Sequence, residues 1–194
     1  APDHLSAYAL TVEEGTKLAA WVRRGEIPRP TDDDEADKYE LADALLAEAD
    51  YHWYEVSNWA RTPADRCRHN LGYWDGSSWW GAGPGAHSHV GGVRWWNVKH
   101  PTAYESRVRA GLSPAAAGET LTTAERYEED VLLGVRLADG MPVARLRPEG
   151  AAAIPGLIAD GLIDARTALR DKKIRLTLRG RLLADSVVRQ LVGE

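Results

Sequence analysis

Two apolar segments of strand length, Leu5-Ser6-Ala7-Tyr8-Ala9-Leu10-Thr11-Val12 and Tyr51–Val56, enclose a stretch patterned for helix, and this order constrains the fold more than any other feature. The first segment is apolar on both parities, as expected of a strand covered on two faces. Lys17–Arg24 reads as a short helix closed by Gly25, and Ile27-Pro28-Arg29-Pro30 as an extended linker. Thr31 offers an N-cap, with Asp32, Asp33 and Asp34 placed where carboxylates meet the positive end of the helix dipole. Tyr39, Ala42, Leu45, Leu46 and Ala49 give that helix one apolar stripe. Strand, helix, strand is the arithmetic of a parallel βαβ unit and of the α/β class. Such strands deliver functional groups at their carboxyl ends, so chemistry is expected after Val56.

The stretch 57–97 is aromatic and Gly-rich, and too long for an idle connector. A helix over 102–110 follows. Ser113-Pro114-Ala115-Ala116-Ala117-Gly118 then marks a boundary between a domain of residues 1–112 and one of residues 113–194. In the second, Thr122 and Glu125 form a capping box, Tyr127, Val131 and Val135 an apolar face, and Gly140 a stop. The stretch 156–163 reads as a helix end entering a strand, and 174–178 alternates as a half-buried strand. Leu183, Val187 and Leu191 line a last helix, completing a small winged-helix-like α+β unit.

The chain has one cysteine, Cys67, so an intrachain disulfide, a cysteine-rich zinc site and a four-cysteine cluster are all excluded. A reducing cytoplasm is the expected setting. No apolar run approaches the roughly 20 residues of a membrane span. The sequence opens on Ala1-Pro2-Asp3 without Met, and its start is expected to be a processed or engineered boundary. A formal net charge of −5 argues against a nucleic-acid binder overall. The local run Arg166, Arg170, Lys172, Lys173, Arg175, Arg179 and Arg181 keeps one rival open, a basic wing on phosphates. Eight Trp and seven Tyr with no Phe suit a pocket for a large, flat, partly polar ligand, or a GC-rich codon bias.

Several candidate ligand types meet at His69-Asn70-Leu71-Gly72-Tyr73-Trp74, with Arg66 and Arg68 flanking Cys67 just before it. A neutral imidazole is a good axial ligand for haem iron, aromatic rings can face a porphyrin, and arginines can pair with its propionates. The alternative is a buried histidine closing a loop. The turn Gly81-Ala82-Gly83-Pro84-Gly85-Ala86-His87 could admit a cofactor close to its backbone, but it lacks the spacing of a phosphate loop and reads equally as a tight structural turn. His87 and His89 alternate along an extended segment and are expected to face opposite sides, forming no ready-made metal pair. Glu55 stands at a strand end as a ligand-orienting carboxylate or a buried hydrogen-bonder. No serine or cysteine occupies a nucleophile motif, so no catalytic residue is assigned.

In order along the chain, His4-Leu5-Ser6-Ala7-Tyr8, Tyr54-Glu55-Val56-Ser57-Asn58-Trp59-Ala60, His69-Asn70-Leu71-Gly72-Tyr73-Trp74 and Gly81–Ser88 resemble the carboxyl-terminal part of the oxygen-independent coproporphyrinogen III oxidase-like radical SAM family. The resemblance implies the last strands of a partial TIM-type barrel followed by the family's C-terminal domain. The motif H-N-x-x-Y-W resembles the haem chaperone branch, which passes haem to haem proteins. It implies haem binding by His69, Asn70, Tyr73 and Trp74, with haem or porphyrin and haem-accepting proteins as partners. The oxidase branch, an oxidoreductase of porphyrin biosynthesis, is the alternative. The family's full-length members use S-adenosylmethionine and a [4Fe–4S] cluster. The resemblance would place Ala7, Ala9, Gly81, Gly83, Gly85 and His87 along the S-adenosylmethionine site. The three-cysteine cluster motif is absent here, so the chain alone is expected to be inactive, with no metal ligands of its own.

Overall fold

The computed structural model describes residues 1–193. It contains β1 (His4–Ser6), α1 (Lys17–Arg23), α2 (Asp32–Glu48), β2 (His52–Glu55), β3 (Asn58–Ala60), α3 (Arg68–Trp74), β4 (His87–Val90), β5 (Val93–Asn97) and α4 (Pro101–Arg109). These are followed by β6 (Ala115–Thr120), α5 (Thr123–Gly134), β7 (Met141–Pro142), α6 (Pro148–Ala159), β8 (Lys173–Ile174), α7 (Leu178–Leu182) and α8 (Ala184–Val192).

The two expected helix starts form: Thr31 caps α2 through the Asp34 amide at 3.2 Å, and Thr122 and Glu125 close a reciprocal box on α5. Thr16, not among the expected caps, caps α1. The parallel βαβ pairing does not form. Only Val56 and Ser57 separate β2 from β3, so β3 folds straight back along β2 and takes the place beside it. The sheet order is β1-β3-β2, with both neighbours antiparallel to β3. β1 and β2 therefore run in the same direction but never pair with each other. The expected strand over residues 5–12 shrinks to three residues: after the Ala7 amide bonds the Ser57 carbonyl at 2.9 Å the chain leaves the sheet, and Tyr8 is 68% exposed.

The second sheet is a meander, β4-β5-β6, turned at Gly91 and Gly92, whose φ angles of 59° and 81° are those of a hairpin turn with two left-handed residues. The 113–118 segment expected to divide two domains supplies most of β6, with Gly118 opposite Trp95. The segment is therefore a paired strand of the second sheet and not an extended connector. The remainder packs α5, α6 and α8 around Val131, Leu157, Ile174, Val187 and Leu191, each fully buried, with β7 and β8 as a short ribbon. α6 and α8 touch closely because Gly150 has no side chain: a Cβ there would lie 1.9 Å from the Leu191 carbonyl oxygen.

A polar clasp joins the units. Arg181 on α7 makes a two-pronged pair with Asp43 on α2, its shorter contact 2.6 Å, and its guanidinium lies 4.4 Å from the Trp53 ring centroid. Asp43 also accepts from the Trp59 indole at 2.8 Å. Burial alone would raise Asp43, but the hydrogen bonds from Arg181 and Trp59 and the Arg181 charge outweigh it and hold the carboxyl below its ordinary range. Burial pushes Tyr39, beside this clasp, up to about 12. Arg181 is thereby withdrawn from the basic run, and the two-residue strands β7 and β8 leave no long wing to present the rest.

Candidate functional site

The site is built on α3, a helix of seven residues whose i, i+4 spacing sorts the motif into two pairs on two faces. His69 and Tyr73 point outward, and both are exposed. Their side chains meet, the Tyr73 hydroxyl 2.9 Å from His69 Nε2 and the ring centroids 4.9 Å apart, edge to face. Asn70 and Trp74 point the other way, half-buried, toward Glu55.

Glu55, at the end of β2, is 2% exposed. It accepts from Asn58 Nδ2 at 2.6 Å and from Asn70 Nδ2 at 3.5 Å, with the Trp74 side chain as a further hydrogen-bonding neighbour. Burial pushes its carboxyl up, and the bonds from Trp74, Asn70 and Asn58 partly offset that rise. Of the two readings the sequence left open for Glu55, the structure takes the buried hydrogen-bonder. It also gives that role a purpose: one carboxylate ties the β2–β3 turn to the inner face of α3. The start of α3 is fixed as well, since the Cys67 amide donates to the Tyr54 hydroxyl at 3.2 Å and that hydroxyl shares a 2.8 Å bond with His4 Nε2. Leu71 packs on the cluster of Tyr54, Ala60 and Ala138, the last contributed by the C-terminal unit. His69 is thus an exposed imidazole on a helix anchored at its start, along its inner face and from beneath.

The outer face continues as a strip of rings. Tyr73 meets Trp79 edge to face at 4.9 Å, and Trp79 meets His89 at 6.4 Å. Trp79 is fastened to β4 by paired backbone bonds with His89 of 2.7 and 2.9 Å. This juxtaposition was beyond sequence reasoning, because neither Trp79 nor His89 shares an element with α3. His87 and His89 do not face opposite sides as expected: two residues apart on β4 they share one face, His89 beside Trp79 and His87 stacked on Trp96 at 5.7 Å, while Ser88 between them is buried on the other. Of the two arginines expected to meet propionates, Arg66 pairs with Asp139 at 2.9 Å, and Arg68 is exposed.

The six residues expected along one cofactor site fall at two places. Ala7 and Ala9 line a cavity of about 340 Å³ against α2, whereas Gly81 borders a different one with Trp80, Trp95 and Tyr104. The amides of the glycine turn are taken up by neighbouring residues. The Gly81 amide bonds Ser88 Oγ, the Gly83 amide bonds the Tyr104 hydroxyl, the Gly85 amide bonds the Val98 carbonyl, and buried Asn97 donates to the Gly83 carbonyl at 2.9 Å. A Cβ on Gly81 would sit 1.9 Å from the His87 carbonyl oxygen, so glycine is required there by the turn's own backbone. Among the described residues no group of three or more His, Cys, Asp or Glu side chains could hold a metal ion, and no helix is long and apolar enough to cross a membrane.

Comparison with known proteins covers nearly the whole chain. The heme chaperone HemW of Mycobacterium tuberculosis is 54% identical over 191 residues, covering 98% of this chain and 48% of that protein. The heme chaperone HemW of Bacillus subtilis is 31% identical over 99% of this chain and 52% of its own length. This chain belongs to the haem chaperone branch of the coproporphyrinogen III oxidase-like radical SAM family. It spans about half the length of the curated relatives it matches. No family model matches it. The solved structure of Escherichia coli coproporphyrinogen III oxidase (HemN), a radical SAM enzyme, superposes with a TM-score of 0.65 at 19% identity, over 98% of this chain and 48% of that one. That likeness shows a shared fold, and with it the mixed α/β architecture of the partial barrel and its appended unit.

Proposed function

We propose that the chain is the haem-holding part of a haem chaperone, with His69 as the iron ligand and the strip Tyr73–Trp79–His89 as the wall beside the porphyrin. The observation that carries this reading is the division of α3. An exposed imidazole stands on one face while Asn70 and Trp74 are spent holding the other, so His69 is presented outward by a supported helix. Haem is cargo here. An exposed site on a short helix suits a ligand that must be surrendered to an accepting haem protein, and the lone cysteine suits a reducing cytoplasm.

The same reading divides the four motif residues by task. His69 and Tyr73 face the cargo, and Asn70 and Trp74 serve as positioning residues through Glu55. For the family's cofactors, the donor set of this chain does not fit a four-iron cluster: such clusters need several thiolates, and Cys67 is alone. No chemical step is assigned to these residues through a cluster or S-adenosylmethionine. Ala7 and Ala9 remain the part of this chain proposed to border S-adenosylmethionine in longer relatives.

The test is a haem titration followed at the Soret band. His69→Ala is expected to lose the shifted band and at least tenfold in affinity, while Asn70→Ala keeps the band position and lowers affinity less. An unchanged spectrum and affinity in His69→Ala would end the assignment.

A further inference from the structure

We infer that Tyr73 guards the ligand nitrogen of His69 and drives cargo release by competing with iron for it. The inference rests on the haem-holding reading above. Its basis is the 2.9 Å bond between the Tyr73 hydroxyl and Nε2, the imidazole nitrogen that stands away from the backbone and is the one free to reach iron. With the ring proton on Nδ1, Nε2 is an acceptor for the phenol, and that tautomer's lone pair is also the one that binds a metal. Hydrogen bond and coordinate bond therefore exclude each other.

The geometry keeps the competitor close. Tyr73 is one helical turn beyond His69, and Trp79 supports its ring at 4.9 Å from a position pinned to β4. When iron occupies Nε2, the phenol loses its partner but not its place. Release is an exchange of bonds without electron transfer. The iron–Nε2 bond breaks, the Tyr73 O–H to Nε2 hydrogen bond forms, a ligand of the accepting protein fills the vacated iron position, and the Nδ1 proton stays where it was. Loading runs the same exchange in reverse, so the hydroxyl weakens holding and lowers the barrier to handover.

Tyr73→Phe keeps the ring and its contact with Trp79 and removes only the hydroxyl. It should bind haem about fivefold more tightly, the worth of one neutral hydrogen bond, and pass it to apomyoglobin correspondingly more slowly. Loss of packing would move affinity the other way, so the sign separates competition from damage. Site-specific 3-fluorotyrosine at position 73, read at pH 6.5, offers a stronger donor of nearly the same shape and should weaken haem binding. Equal or weaker binding by Tyr73→Phe, with the His69→Ala loss intact, overturns the guard and leaves the haem-holding reading standing. Should Tyr73→Phe fail to fold, unchanged or tighter binding by the fluorotyrosine protein overturns the guard instead. If His69→Ala itself binds unchanged, both fall.

Discussion

The C-terminal unit and the N-terminal region treat apolar side chains in opposite ways. From α5 to α8, the apolar faces of three helices close on one another, and Val131, Leu157, Ile174, Val187 and Leu191 lose essentially all contact with water. Along α2 no residue is fully buried, Leu41 and Leu45 are more than half exposed, and Tyr8 and Leu10 beside it lie open. An amphipathic stripe specifies only that a helix has a face to cover; whether the face is covered depends on what lies opposite. In this chain the stripe of α2 meets a three-stranded sheet on one side only, and the Asp43–Arg181 clasp supplies a polar anchor to the C-terminal unit. Helix α3 sits between the two regimes. Its inner face leans on the sheet through Glu55, and its base on Ala138 from the helical unit.

This contrast is broken most directly by truncating one side chain from each region. Leu157→Ala should cost about 3 kcal/mol in denaturant unfolding, because a fully buried side chain leaves a cavity. Gly150→Ala should cost about as much, through the collision of its Cβ with the Leu191 carbonyl, whereas Gly156→Ala, with open space around it, should stabilise by about 0.5 kcal/mol. An equal effect of the two glycine changes would refute the close packing of α6 on α8.

A smaller effect is expected at the clasp. Asp43→Ala leaves Arg181 half-buried without its carboxylate and should cost about 2 kcal/mol. The pH dependence has a defined sign. Asp43 is held below its ordinary range, so its stabilisation is fully present above the carboxylate's unfolded pKa and is lost as pH falls through the lower folded value. Wild type should therefore lose stability on acidification more steeply than Asp43→Ala, measured by thermal melts between pH 6 and 2. The smallest effect belongs to Leu45→Gln, within about 0.5 kcal/mol of wild type. A large destabilisation there would mean that the stripe of α2 is covered after all.

Local chemistry written in a few adjacent residues was legible in the sequence. The Thr caps of α2 and α5 and the burial of Val187 and Leu191 on α8 depend on neighbours within one or two turns and stand as expected, whereas Leu183, expected on the same face, precedes the helix and is exposed. The βαβ pairing was not legible, because Asn58-Trp59-Ala60 is too short to register as a strand until β2 lies beside it. The same holds for the segment 113–118, whose small residues look like a linker but pair as β6 because Gly118 lets the chain approach Arg94 and Trp95 closely. At the site, the order H-N-x-x-Y-W marked the motif but not the helix α3 that carries it, which lies within a stretch read only as aromatic and Gly-rich. Which face would look outward depended on Glu55, thirteen or more residues away, and the glycine turn proved to spend its amides on Ser88, Tyr104 and Val98.

The sequence alone determined the caps of α2 and α5, the apolar stripes and the identity of the motif that carries His69, since these follow from side-chain chemistry at fixed local spacing. Only the tertiary structure decided that β3 would separate β1 from β2, that Asn70 and Trp74 would turn inward to a buried carboxylate, and that Tyr73 would rest on both His69 Nε2 and Trp79. Those outcomes are competitions between distant partners for the same backbone edge or the same polar atom. Such competitions are settled by burial and geometry once the chain has folded back on itself.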